Sequence, residues 1–152
     1  MSMELYVFSD RQLNSIADWN AALAAQNFPV IIQDDRPLAS FNGHQPTQLR
    51  GRDVWIEYNH WDAAEFLAED ERVKADKPWK YLLAFRWNFD FYAAPAAYMA
   101  AAAYARATEG IVLDDQEAAF ISWQRAASIA RELDTEKPDI DALIAEKRSA
   151  PK

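Results

Sequence analysis

His44 and His60 are the chain's only imidazoles. His60 stands in the acidic setting Glu57-Tyr58-Asn59-His60-Trp61-Asp62. If this segment is a strand, Glu57 and Asn59 share a face and His60 lies near its end beside Asp62. Glu57, His60 and Asp62 are then candidate metal ligands. Their spacing matches no established ligand pattern, and one histidine with two carboxylates is a poor zinc set, so no metal is expected. Acid–base catalysis needs titratable groups held at divergent pKa values in one pocket. The candidates are Glu57, His60 and Asp62, with Asp114 or Asp115 after a short apolar run. A polar strand end is the plainer account of Asp114-Asp115. His44 falls in a turn-rich stretch and reads as a solvated loop residue.

Several chemistries are absent. The chain has no cysteine, so disulfides, thiolate catalysis and cysteine–zinc sites are excluded. It has no G-x-S-x-G, P-loop or G-x-G-x-x-G pattern, and its 3 scattered glycines cannot build a phosphate cradle. No cofactor is expected. What remains is a recognition constellation. Arg86 sits between Phe85 and Trp87, and Trp55 precedes Glu57 in another alternating run. Tryptophan and arginine are the residues that most often anchor protein interfaces. If helices cover one face of a sheet, the opposite face carries Trp55, Glu57, Arg86 and Asn88. Trp61 is a further candidate anchor, and Trp87 a weaker one because its strand phase predicts burial. The competing expectation is that a loop or C-terminal element covers this face and that Arg86 pairs with Glu57.

The elements that must position these residues centre on residues 80–115. Residues 80–89 alternate, with Tyr81, Leu83, Phe85 and Trp87 facing a core and Leu82, Ala84, Arg86 and Asn88 facing away. Asp90 is a reasonable N-cap, although Pro95 delays or bends the helix start. The alanine run over 93–107 predicts a helix that lies close to a sheet, with Tyr98, Ala101, Ala102 and Ala105 as its contact stripe. Core packing is preferred over a partner interface for this helix. Gly110 is the expected C′ residue, and residues 111–113 a short buried strand.

Elsewhere, residues 4–9 read as a strand. Residues 11–26 read as an amphipathic helix capped by Ser9 or Asp10 and ended by Asn27. Residues 28–33 read as a strand, and 34–37 as a polar turn. Residues 38–41 form a further short strand, and 44–46 a loop. Residues 48–59 make a longer strand with a turn at 50–52. Asp62 caps a short helix to residue 69, and 70–78 is an exposed connection. Ser122 caps a helix to about Leu133, and Ile140, Leu143 and Ile144 mark one more short helix. This order predicts a single α+β domain over residues 1–135, followed by a short helix and tail over 136–152. The sheet is expected to be mostly antiparallel, with two or three helices on one face, in a ferredoxin-like arrangement with inserted strands.

The chain has 152 residues, 51 % of them apolar, which is enough for one folded domain with a sizeable core. The 24 acidic against 16 basic side chains leave a net charge of −8. That balance disfavours nucleic acid and anionic membranes and favours a basic partner. No apolar run is long enough to span a membrane, and the N-terminus shows no basic segment followed by a long apolar one. Cytoplasm is the expected location.

The run AFRWNFDF at 84–91, followed by AAYMAAAAYARATEGIVLDDQE at 96–117, resembles a group of small uncharacterised bacterial proteins. Chains of this size and make-up are common among the immunity proteins of bacterial polymorphic toxins. The resemblance implies a cytosolic, acidic, non-enzymatic protein that binds a basic toxin domain and blocks its active site. It assigns no site residue, because such proteins choose their contacts individually. Two alternatives stand beside it: a small enzyme or ligand-binding domain using Glu57, His60 and Asp62 with Asp114, and a structural homodimer joined through the exposed sheet.

Overall fold

The structure, a computed structural model, describes residues 2–33, 37–38, 42–70, 73–88, 90–115 and 118–136. Its elements are β1 (Ser2–Ser9), α1 (Ile16–Ala25), β2 (Val30–Ile32), β3 (Gly43–Leu49), β4 (Arg52–Asp62), α2 (Ala63–Glu69), β5 (Tyr81–Asn88), α3 (Ala93–Thr108), β6 (Ile111–Asp114), β7 (Ala119–Ile121) and α4 (Trp123–Glu136). The strands form one antiparallel sheet in the order β2-β3-β4-β5-β1-β6-β7. Strands β4, β5, β1 and β6, with α1 and α3, stand in the order of a ferredoxin-like sheet. Strands β2 and β3 widen it on one edge and β7 on the other.

Helix α3 is the keystone of the helical layer. Nearly every residue from Ala93 to Ala105 is buried, because the helix is enclosed by the sheet, α1 and α4. Alanine makes this possible. With side chains one methyl deep, Ala126, Ala127 and Ala130 of α4 reach the α3 backbone closely. Around α3 the sheet supplies Leu5, Val7, Ile56, Leu83, Phe85, Trp87 and Val112, all at alternating positions. The aromatic centre is Trp19 of α1. Its ring meets Tyr58, Phe85 and Tyr104 edge-on at centroid distances of 5.4, 6.0 and 5.2 Å. Its indole N–H donates to the Ala100 carbonyl at 3.1 Å.

Buried phenols give the fold an alkaline limit. Burial holds the Tyr104 hydroxyl protonated, pushed up to about 12. Burial raises Tyr58 further against the opposing hydrogen bond with Thr47, and burial plus the bond to Glu4 raises Tyr6. In the unfolded chain these phenols ionise near their ordinary value of about 10, so above that pH the unfolded state loses protons the folded state keeps. Stability therefore falls as pH rises from 10 toward 12, by about 1.4 kcal/mol per pH unit for each of the deeply buried Tyr58 and Tyr104. Urea midpoints at pH 9, 10 and 11 should show the decline, and Tyr104→Phe should make it shallower.

Several local expectations are corrected. Helix α1 starts at Ile16, and Ser15 is its cap, accepting from the Asp18 N–H at 3.0 Å. Ser9 and Asp10 do not cap it: the Ser9 hydroxyl donates to the Arg11 carbonyl, and Asp10 pairs with Lys77. Residues 44–46 are not loop. They belong to β3, whose inward residues Gln45 and Thr47 are buried polar groups bonded to the Asn42 carbonyl and the Tyr58 hydroxyl. Pro46 sits at the end of the β2–β3 ladder, where its carbonyl accepts from the Gln33 N–H at 2.8 Å and only the reciprocal bond is lost. The β3–β4 turn is Arg50-Gly51, both at positive φ, as a tight two-residue hairpin requires. The connection before β5 is not wholly exposed, since Val73 is buried under the sheet. Tyr81 is exposed, although its phase places it with the core set. Asp90 is not the N-cap of α3: the cap position is Tyr92, which has no side-chain cap bond, and Asp90 accepts from the Tyr92 N–H at 2.8 Å. Pro95 falls within the first turn, where Ala94 and Ala96 bond the Asp90 and Tyr92 carbonyls and proline forgoes the bond between them. Strand β7 is unanticipated. Residues 34–36, 39–41 and the helix expected around Ile140, Leu143 and Ile144 lie outside the described residues.

Gly110 is needed for a different reason from the one its position suggests. The left-handed residue ending α3 is Glu109, at φ 57°. Gly110 donates to the Ala105 carbonyl at 2.8 Å, completing the cap. A Cβ at Gly110 would lie 2.3 Å from the Phe8 carbonyl oxygen, a backbone atom held in the sheet. Gly110→Ala should therefore destabilise by about 1–3 kcal/mol through overpacking, read as a lower urea midpoint at unchanged slope.

Candidate functional site

The second face of the sheet is only half covered. Toward β1, β6 and the far ends of β4 and β5, helix α2 and the segment after it lay Ala63, Phe66, Leu67, Val73 and Trp79 against Tyr6, Phe8, Leu82, Ala84 and Leu113. Asp62 starts α2 by accepting from the Glu65 N–H at 2.8 Å, so it is occupied as a cap. The other half, formed by β3, the first part of β4, the end of β5 and the start of β1, has no such cover among the described residues.

Alternation explains which side chains stand there. In β4, Val54, Ile56 and Tyr58 fill the helix-side core, so Trp55 and Glu57 point the other way. In β5, Leu83, Phe85 and Trp87 are buried, so Arg86 and Asn88 point out. Register then assembles a row across four strands: His44 opposite Glu57, Glu57 opposite Arg86, and Arg86 opposite Glu4. Trp55 is 45 % exposed, and the His44 ring stacks on it at 3.7 Å with 11° between planes. Glu4 accepts from the Tyr6 hydroxyl at 2.5 Å. Among the described residues, neither Glu57 nor Arg86 makes a side-chain hydrogen bond or ion pair, although they are cross-strand neighbours.

The structure thus gathers Trp55, Glu57, Arg86 and Asn88 on one open surface. Trp61 shares their face but not their neighbourhood. It lies six positions along β4 from Trp55, about 20 Å at 3.3 Å per residue, against Tyr6 and Phe66. Two participants escaped the sequence reading. His44 was hidden because β3 has polar inward residues and no apolar alternation. Glu4 was hidden because its strand was read for its apolar run alone.

The acid–base candidates are dispersed. His60 faces the helix side, with Nε2 at 2.9 Å from the Leu38 carbonyl and Nδ1 at 3.5 Å from the Gln12 amide. Glu57 faces the opposite side. Asp114 is buried under α3, where it accepts from the Tyr98 hydroxyl at 3.2 Å. Strands β4 and β6 are three spacings apart, about 14 Å. Among the described residues no cluster of three His, Asp or Glu side chains could hold a metal ion. No helix among them is long and apolar enough to cross a membrane.

The open surface offers groups suited to binding. It combines an aromatic plate, adjacent charges of both signs and a carboxamide, a set suited to protein recognition. Compared with known proteins, the chain matches no family model, no curated protein and no solved structure.

Proposed function

We propose that this is a non-enzymatic binding protein of immunity type, which neutralises a bacterial toxin in the cytoplasm by covering its active site. The observation that carries the reading is the uncovered half-sheet, where Trp55 is exposed and Glu57 and Arg86 lack partners among the described residues. Charged groups left free on a rigid sheet keep their binding capacity for another molecule. The net charge of −8 suits a basic partner, whose approach it would accelerate. The patch spans about 14 Å across β3 to β1. That is the size of an interface centre, and a stable complex buries roughly 800 Å² per partner. The strand edge bearing Ile31 and the ridge at Trp61 are the available rim.

The test is affinity capture from the native cell with the wild-type protein and with a Trp55→Ala/Arg86→Ala variant. One basic protein should be retained stoichiometrically by the wild type and lost by the variant. Expressed alone it should arrest growth, and co-expression with the wild type should restore it. A partner that is equally retained by the variant, or that is harmless on its own, would overturn the reading. A mass that rises with concentration in the absence of partner would point instead to a homodimer through the same face.

A further inference from the structure

A second surface lies on the helical side, away from the open half-sheet, and nothing in the proposed function uses it. There the C-terminal end of α1, the last turn of α3 and the first nine residues of α4 border an open pocket of about 420 Å³. Arg106, Arg131, Trp123, Gln124 and Gln26 line it, and among the described residues no carboxylate does. In a chain of net charge −8 this is a local reversal of sign.

Both guanidinium groups are held from behind. The Arg106 Cζ lies 4.8 Å from the Trp123 ring centroid, and the Arg131 Cζ lies 5.2 Å from that of Phe28. Ring stacking fixes the plane of a guanidinium and leaves its N–H edge available. Among the described residues neither side chain donates to an acceptor. Two like charges converging on one cavity repel, and an anion between them would relieve that repulsion.

Gln26 supplies the independent observation. It is only 7 % exposed, and among the described residues neither its buried Nε2 nor its buried Oε1 has a hydrogen-bond partner. Buried polar side chains are nearly always paired, because an unmade bond carries a desolvation cost. Among the described residues no hydrogen bond holds this amide where it is, and it borders a pocket with two guanidinium groups. A side-chain rotation toward the cavity would let it both donate and accept.

We infer that this cavity binds a small oxyanion, a carboxylate or a phosphate, on a molecule that also carries a hydroxyl or amino donor. Arg106 and Arg131 take the oxyanion through their N–H edges, and Gln26 turns to meet the oxyanion and its neighbouring donor.

The test titrates the full chain with sodium phosphate and, separately, sodium citrate at constant ionic strength. Side-chain amide and guanidinium N–H cross-peaks in proton–nitrogen NMR follow Gln26, Arg106 and Arg131. Saturable shifts of the Gln26 amide are expected with at least one anion, and which one saturates distinguishes phosphate from carboxylate recognition. Arg106→Gln and Arg131→Gln should each weaken binding tenfold or more, whereas Arg125→Gln, the same charge change outside the cavity, should not. Gln26→Leu should weaken binding yet raise the melting temperature of the anion-free protein, since it removes an unsatisfied buried amide. No saturation with either anion, or undiminished binding in both arginine variants, would overturn the inference. So would a Gln26→Leu protein that is less stable and binds as the wild type does. Toxin neutralisation by the open half-sheet is read in a separate experiment, and either result leaves the other standing.

Discussion

Trp19→Ala is expected to cost about 3–5 kcal/mol, the usual range for removing a fully buried large aromatic. Trp19 is 0 % exposed and touches three aromatic rings contributed by β4, β5 and α3. Its loss leaves a void in the middle of the helix–sheet layer and strips the Ala100 carbonyl of its indole donor. Few neighbours can fill that void, because the adjacent helix is built of alanine. A domain of this size is stable by only about 5–15 kcal/mol, so the variant should unfold at much lower urea and a large share of it should be unfolded at 37 °C. Trp19→Phe keeps the edge-on ring contacts without the indole N–H, and should recover most of the loss. If Trp19→Ala moved the urea midpoint by less than an equivalent of about 1 kcal/mol, the account of this core would be wrong.

Trp19 also shows what was legible in the sequence. Its helix could be read because apolar residues recur at helical spacing through Leu23, and β4 and β5 because large apolar residues alternate with polar ones. Those patterns exist because each element has one buried side. They suffice to place Val54, Ile56, Tyr58, Leu83, Phe85 and Trp87 inward, and therefore Trp55, Glu57, Arg86 and Asn88 outward. The antiparallel α+β architecture follows from the order of elements. The alanine run was legible as a close-packed helix for the same reason.

The failures have a common physical origin. Strand β3 buries Gln45 and Thr47, and polar residues can be inside only when partners satisfy them. Those partners, the Asn42 carbonyl and the Tyr58 hydroxyl, belong to tertiary structure and leave no local pattern. Gly110 looked like a positive-φ stop, but the closeness of the Phe8 carbonyl is a property of the folded sheet. Ser9 and Asp10 were plausible caps by residue type, yet Ser15 won because the chain runs on past the sheet before α1 begins. The half-open second face required knowing how far α2 reaches, which depends on Phe66 and Leu67 finding Tyr6 and Phe8. Trp61 shares the face of Trp55 but stands about 20 Å from it along β4, since periodicity fixes the side of a strand and says nothing of what lies over each end.

Trp55→Ala should weaken the partner complex by about 2–4 kcal/mol, roughly 30- to 1,000-fold in Kd, if Trp55 is a central anchor. Its effect on folding should stay within about 0.5 kcal/mol, as for an exposed side chain whose only ring contact among the described residues is His44. His44→Ala should weaken binding less, because it removes the group that holds the indole flat while leaving the indole in place. Arg86→Ala should again affect binding and spare stability. Its neighbours Glu57 and Glu4 stand directly across from it, so a hidden structural role would show itself as lost stability with binding intact, and that outcome would refute the assignment. Trp61→Ala is the internal control. Its ring packs on Tyr6 and Phe66, so it should cost stability, while its distance from Trp55 should leave the centre of the interface largely unaffected. A double-mutant cycle between Trp55 and Arg86 then separates two arrangements. Coupling of more than about 0.5 kcal/mol means that both residues meet the same region of the partner. Strict additivity would mean that the open half-sheet carries two separate contacts, and the aromatic plate alone would be its centre.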